Sequence, residues 1–525
     1  MTITELSAQA LHTAIHAREV SCVEVLMAYW EQIKTHNPRF NAIVSLHGLE
    51  AQGPGHDGGQ AQSPATTSSP TPPHHPGLIS LAQTLDDELK AGRSRGFLHG
   101  MPMAPKDLAA TKDCVTTQGS PLLRHYLPKE DALVVQRMRQ AGALFIGKTN
   151  TPEFGLGSHT YNTVFGTTLN AYQPHLSAGG SSGGAAVALA LRLLPLADGS
   201  DFMGSLRNPA GWNNVFGLRP SQGRIPSLPG ADQFISQLGT EGPMARSVVD
   251  LGRLLAIQAG HDARSPLSLM PSTERFAAEL DAVLAGEPMP LESCFSGDRP
   301  YTIGWLGDLG GHLAYEVGVS EQCLLGLQRF EALGARVSEV SLAMNPESIW
   351  QAFLVWRGAL VAHRLNPLAQ MAHATEHMKP EALWELEQAR GLTAEALMHA
   401  SHTRTQLYHH LLGLLQEHDV LALPSAQVWP FERTHPWPQH IKTAAGERAM
   451  DTYHRWMEVV IYGTLSGLPV LSIPTGFNSQ GCPMGIQLIG QPQGEAALLK
   501  AARAYESQIQ DWLNVKPSVL SATVA

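Results

Sequence analysis

The densest concentration of reactive residues is Ser177 to Gly184, read as SAGGSSGG, which runs straight into the apolar stretch AAVALALRLL at 185–194. Glycines at a loop-to-helix junction permit unusual backbone angles and close approach of other groups. The helix N-terminus adds unpaired N–H groups and positive potential. Such a loop suits an anion or a reacting oxygen, and three readings are open. A phosphate loop would end in GK[ST], which this one lacks. An α/β-hydrolase nucleophile elbow fits the GxSxG spacing about Ser181 or Ser182, but it needs a strand immediately before it. The preceding LNAYQPHLSA does not read as a strand. The third reading is a serine site whose base is not histidine. A glycine-rich turn that only caps a helix is the bland alternative.

Two further features weigh against that alternative. Downstream, Gly199 to Ala210 (GSDFMGSLRNPA) presents Ser205 on a turn of small residues, between Gly204 and Leu206, with Asp201 and Arg207 flanking. Upstream, Gly100 to Asp107 (GMPMAPKD) places Lys106 among apolar residues and prolines. A lysine withdrawn from water loses stabilisation of its charge, and its pKa falls. A neutral lysine can then serve as base for a serine.

Taken together, GGSSGG, SDFMGSLRNPA and APKD resemble the amidase signature family, in order as well as content. GKTNTPEFGLGS, FGTTLN, FGLRPSQGRIP, SGLPVLSIPTGF and PMGIQLIGQP are similar to that family too, so the resemblance covers roughly residues 5–510 apart from an insertion at 52–77. It implies Ser205 as acylated nucleophile, Ser181 as bridging serine before a cis peptide, and Lys106 as general base. The separation of Ser181 and Ser205, 24 residues, is the family's. The resemblance also implies an oxyanion hole from the amides of Phe202, Met203, Gly204 and Ser205, with Ser182, Asp201 and Arg207 in support. Two departures stand out: Met203 where the family has glycine, and Ser200 where threonine is common. The implied activity is hydrolysis of a carboxamide through an acyl-serine, with no cofactor and no metal. A glutaminase subunit of a tRNA-dependent amidotransferase is an alternative within the family.

The elements that must position these residues alternate. Helices are predicted at 131–140, 183–193, 246–258, 320–333 and 495–508, and strands at 143–148, 301–305, 335–340, 420–423, 470–473 and 484–489. That alternation favours an α/β/α sandwich around a mixed sheet, as one catalytic domain over 1–515 with a tail at 516–525. Two amphipathic helices precede it at 4–36, the second stopped by Asn37-Pro38. Residues 346–418 read as a helical excursion. The Gly-, Pro- and Ser-rich segment 52–77 cannot bury enough apolar surface to offset its ordering entropy and reads as a disordered insertion.

Bulk properties narrow the function. With 43% hydrophobic and 16% charged residues the chain is globular, and a net charge of −10 gives no footprint for nucleic acid or anionic membrane. Five scattered cysteines without a CxxC pair give no spacing for a disulfide framework or a thiolate zinc site. No apolar run spans a bilayer and no signal peptide is evident, so a cytoplasmic enzyme acting on a small-molecule amide is expected. Oligomeric state is open, a homodimer being the commonest arrangement. A reading of another class is a zinc peptidase: His373 to His377 matches HxxEH, whose spacing would set both histidines on one helix face. The chain has 24 histidines, so such a match arises easily by chance. The aromatic residues Trp350, Phe353, Trp356, Trp429, Phe431, Trp437, Tyr453 and Trp456 read mostly as core, some as candidates for an acyl pocket.

Overall fold

The computed structural model describes residues 2–50, 77–230, 232–271, 273–285, 291 and 299–521. The expected insertion at 52–77 lies outside the described residues except Gly77, which is buried and caps the helix Leu78–Lys90 at φ 80°. Of the expected tail, 522–525 also lies outside them. Lys516 pairs with Glu5, and Ser518–Ser521 forms a single helical turn.

Eight strands build the main sheet: β1 (Ala197–Asp201), β2 (Phe216–Arg219), β3 (Thr240–Ala245), β4 (Thr302–Trp305), β5 (Arg336–Glu339), β6 (Val420–Pro424), β7 (Val470–Phe477) and β8 (Pro483–Ile489). Their order across the sheet is β5-β4-β6-β8-β7-β2-β3-β1. β4 pairs in parallel with β5 and β6, and the remaining pairings are antiparallel, so the sheet is mixed as expected. β6 and β8 are buried at every residue, which is why they read as continuous apolar runs rather than alternating ones. Val319–Ala332 and Asn208–Trp212 pack on β7 and β8, and Val248–Gln258 packs on β3. The helical excursion is observed as Pro346–Ala369, Ala374–His377, Pro380–Gln388 and Ala394–Glu417, its two long helices packed together. Trp350, Phe353, Trp356 and Trp456 are buried in the main core, where Trp456 stacks on Trp212.

Two elements differ from expectation: the strand expected at 143–148 is two two-residue strands, Leu144–Phe145 and Lys148–Thr149, in small sheets apart from the main one, and one helix runs past its expected stop. The second N-terminal helix does not stop at Asn37-Pro38 but runs from Cys22 to Phe40, through Pro38. Asn41 ends it in the left-handed region at φ 53°. Asn37 serves the exit from inside the helix: its Oδ1 accepts from the amides of Ala42 and Ile43, and its Nδ2 donates to Ile43 O. Pro38 has no amide to donate, so the ladder loses one rung there, and the Asn41 amide resumes it by donating to Asn37 O.

Candidate active site

β1 is an edge strand, and its C-terminal end delivers Asp201 into the turn that carries Ser205. That turn is built around the Asp201 carboxylate. Gly204 N–H donates to Oδ1 at 2.9 Å and Leu206 N–H to Oδ2 at 3.1 Å, one donor on each side of Ser205. Arg207 closes the ring with Nε to Oδ2 at 3.0 Å and Nη2 to Oδ1 at 2.9 Å. Its remaining donors reach Val460 O, Gln487 Oε1 and Thr464 Oγ1, tying the turn to β8 and the segment before β7. Burial alone would raise the Asp201 carboxyl, but Arg207 and Arg219 outweigh it and hold the group well below the usual carboxylate range. Gly204 sits at φ 80°, and a Cβ there would lie 2.8 Å from the Val460 methyls, so both backbone and space require glycine. Met203, by contrast, keeps a negative φ and buries its side chain in the main core, so this position does not require the left-handed backbone that favours glycine.

Lys106 approaches from the opposite side. It is 1% exposed, and its Nζ lies 2.8 Å from Ser181 Oγ, 2.9 Å from Ser182 Oγ, 3.1 Å from Ser200 Oγ and 3.3 Å from Ser200 O. Hydroxyls and a carbonyl surround it, and among the described residues no carboxylate is in ion-pair contact with it. Burial pulls its pKa down to about 7 against the opposing pull of Glu241, Asp201 and Asp198. Gly199 permits this packing, since a Cβ there would lie 2.7 Å from Ser182 Oγ. The Gly180–Ser181 peptide is cis, on the N-terminal side of Ser181 rather than after it. The helix Gly183–Ala190 is buried throughout, and its Gly184 amide donates to Asn150 O, so its start is not an open cradle for phosphate. The histidine of this loop region, His159, hydrogen bonds Ser177 and Arg433 O, away from Ser181 and Ser205.

The structure thus brings Lys106, Ser181 and Ser182 into one hydrogen-bonded group and encloses Ser205 in the Asp201–Arg207 ring. Ser205 is 6% exposed, and its hydroxyl makes no hydrogen bond among the described residues. Of the four expected oxyanion donors, the Gly204 amide is occupied by Asp201, leaving those of Phe202, Met203 and Ser205. Beyond Phe202 lies an apolar cluster of Phe154, Leu156, Val361, Leu365, Met378 and Ala382. The aromatic residues expected as pocket candidates are absent from it. The excursion helix supplies aliphatic groups instead. Gly155 adjoins Ser181: a Cβ there would lie 3.5 Å from Ser181 Oγ. The neighbouring Phe154 O accepts from Arg364 Nη2 at 2.6 Å.

Sequence reasoning missed Ser200 as a partner of Lys106, the carboxylates of Asp198 and Glu241, and Arg364. The first three lie on β1 and β3, whose ADGSD and TEGPMA carry no strand periodicity to show which side chains converge. The zinc reading fails on geometry. His373 is a left-handed residue outside the four-residue helix Ala374–His377, so the two rings do not share a helix face. Among the described residues no group of three or more His, Cys, Asp or Glu side chains is placed to hold a metal ion.

A sequence profile of the amidase family matches residues 75–499. The chain belongs to the amidase signature family. Among the relatives of this amidase, a glutamyl-tRNA(Gln) amidotransferase subunit from an Azoarcus species is 31% identical over 97% of this chain and 99% of its own length. Its counterpart from Thermosynechococcus vestitus is 29% identical over 97% and 99%. Among solved structures, a bacterial aryl acylamidase superposes with a TM-score of 0.80 at 23% identity, covering 96% of each chain. The peptide amidase of Stenotrophomonas maltophilia superposes at 0.74 with 25% identity over 98% of each. The protein is an enzyme that hydrolyses carbon–nitrogen amide bonds. No helix among the described residues is long and apolar enough to cross a membrane.

Proposed function

We propose that this amidase works through an acyl-serine on Ser205, with Ser181 relaying the proton and Lys106 as base. The observation that carries the reading is the enclosed Lys106 Nζ at 2.8 Å from Ser181 Oγ, with its pKa lowered by burial. Neutral Lys106 takes the proton of Ser181 as Ser181 takes that of Ser205. The Ser181–Ser205 hydrogen bond closes when substrate fills the site, as catalytic contacts often do. Ser205 Oγ then adds to the amide carbonyl. The oxyanion meets amides of the Phe202 to Ser205 turn, each worth about 3–4 kcal/mol in comparable sites. The relayed proton leaves on the amine, and water reverses the sequence to release the carboxylate. Ser182 holds Lys106, while Asp201 and Arg207 hold the turn. No cofactor enters. The substrate is a small-molecule amide and the setting cytoplasmic.

Labelling by a fluorophosphonate probe with peptide mapping tests this. The probe should attach to Ser205 in the wild type and fail in Lys106→Ala. Labelling elsewhere, or undiminished in the variant, would refute it.

Two readings of the substrate remain. The apolar cluster beside Phe202 suits a hydrophobic acyl group. The relatives favour a glutaminase subunit feeding ammonia to partner subunits, and one feature of the site supports them. Arg364, an exposed residue of the excursion helix, makes no ion pair among the described residues. Its guanidinium is held at Phe154, next in sequence to the Gly155 that adjoins Ser181. A cation so placed suits a substrate carrying a carboxylate, as glutamine does. Ammonia release from glutamine, set against release from an aryl anilide, separates the readings. Hydrolysis of glutamine with a KM that rises in Arg364→Leu selects the amidotransferase reading. Anilide hydrolysis without glutamine turnover selects the stand-alone amidase.

A further inference from the structure

Glu241 lies on β3 directly across from Ser200 on β1. Directly paired residues of an antiparallel ladder point to the same face with Cβ atoms about 5 Å apart. Ser200 Oγ is 3.1 Å from Lys106 Nζ on that face, and two residues earlier Asp198 Oδ2 accepts the Lys106 amide at 3.2 Å. The Glu241 side chain therefore faces the lysine. It also lines a cavity of about 200 Å³ with Leu108, Ala109 and Ala110, which come after Lys106 and Asp107 in the chain, and with Gln118 and Tyr126. No ion pair or hydrogen bond holds the Glu241 carboxylate among the described residues. The cavity is roomy and polar enough for water.

We propose that Glu241 is a positioning residue for the reaction, its carboxylate acting on Lys106 from the paired strand so as to set the pH at which the lysine becomes a base. This rests on Lys106 being the base. The surrounding charges leave that task to Glu241. Asp201 is committed to Arg207 and Arg219, and Asp198 to the Lys106 amide with Lys148 nearby. Arg364 opposes the ammonium from the excursion helix. Glu241 favours the ammonium, and burial and Asp198 in turn raise its own pKa to about 7. Lysine and glutamate thus compete for one proton near neutrality, and the apparent value measured there belongs to the pair.

The test is kcat/KM against pH, on any amide the enzyme turns over, for the wild type, Glu241→Gln and Glu241→Asp. Losing the charge makes Lys106 easier to deprotonate. The acid limb of Glu241→Gln should shift toward acid by up to about one pH unit, a difference greatest near neutrality, where the wild-type carboxylate is ionised beside the ammonium, and closing in stronger acid, where Glu241 is itself protonated. Glu241→Asp, which withdraws the charge by one methylene, should shift the limb the same way by less. A limb that stays in place while the rate falls uniformly makes Glu241 merely structural and overturns the proposal. If Glu241→Gln fails to fold, the Asp variant decides: an unmoved limb overturns it. Lys106→Ala separates the two levels. Retained activity there sinks the base assignment itself, whereas an inactive Lys106→Ala with an unmoved Glu241→Gln limb sinks only the role of Glu241.

Discussion

Asp201→Asn removes the charge around which the Ser205 turn is folded. In the native protein one carboxylate accepts two amides and two guanidinium donors, all buried, and Arg219 lies beside it. Asparagine keeps the size but offers a single acceptor, and its amide turns N–H groups toward Arg207. Breaking a buried ion pair by removing one partner costs about 3–5 kcal/mol, because the other charge is left uncompensated. Here Arg207 still reaches Val460 O, Gln487 and Thr464, which favours the lower end. The amides of Gly204 and Leu206 flank Ser205, so the nucleophile should also lose its position, and a displacement of about 1 Å can cost about 100-fold in rate. We expect a thermal midpoint several degrees lower and fluorophosphonate labelling of Ser205 slowed about 100-fold. The pH dependence carries a sign. A carboxyl whose folded pKa is depressed contributes stability that is present above its unfolded value of about 3.9 and is lost as pH falls through the folded one. The gap between wild type and variant should therefore persist from neutral pH down to about pH 4 and close only in stronger acid. A variant within about 1 kcal/mol of wild type that labels within threefold would refute the account of this turn.

Further outcomes follow from the same geometry. With the Lys106 pKa lowered to about 7 and the neutral form as base, kcat/KM should rise with pH through an acid limb near neutrality; a profile flat from about pH 5 to 9 would rule out the lysine. The same group should make folding stability rise between about pH 7 and 10.5, where the unfolded chain still holds a proton that the native state has released. Gly204→Ala must place a side chain at φ 80° against Val460, costing about 1–2 kcal/mol for the backbone alone, and should abolish labelling in protein that still folds. His373→Ala combined with His377→Ala, and separately an excess of chelator, should leave turnover unchanged; loss in either experiment would revive a metal at that segment.

What was legible in the sequence depended on whether a residue's environment is local. β6, β7 and β8 are apolar runs buried on both faces and announce themselves. Lys106, Ser181 and Ser205 stand in motifs whose order suffices to pick them out. β1 and β3 were hidden, because ADGSD and TEGPMA hold polar groups that turn inward to meet one another. Such residues contradict the alternation that marks a strand. Ser200 and Glu241 become partners only through the pairing of those strands, 41 residues apart in sequence. Pro38 misled in the opposite direction: a local helix-breaking signal was overridden by Asn37, whose side chain satisfies the amides beyond the helix end.

The buried charges explain why the site tolerates a lysine at all. A fully enclosed ammonium without a partner would be expelled or neutralised. A close carboxylate would fix it as a permanent cation, useless as a base. Here the lysine is ringed by three hydroxyls and a carbonyl, while the acidic groups that favour its charge are kept out of ion-pair contact or spent elsewhere. The hydroxyls can accept from the ammonium or donate to the amine, so either protonation state finds hydrogen bonds. That balance puts the lysine where a base must be to take a serine proton near neutral pH and to return it to a leaving amine. It also predicts that moving a carboxylate into direct contact, as in Ser200→Asp, should fix the ammonium and shift the acid limb several units toward alkali. Wild-type activity at neutral pH in that variant would show that Lys106 does not act as the base.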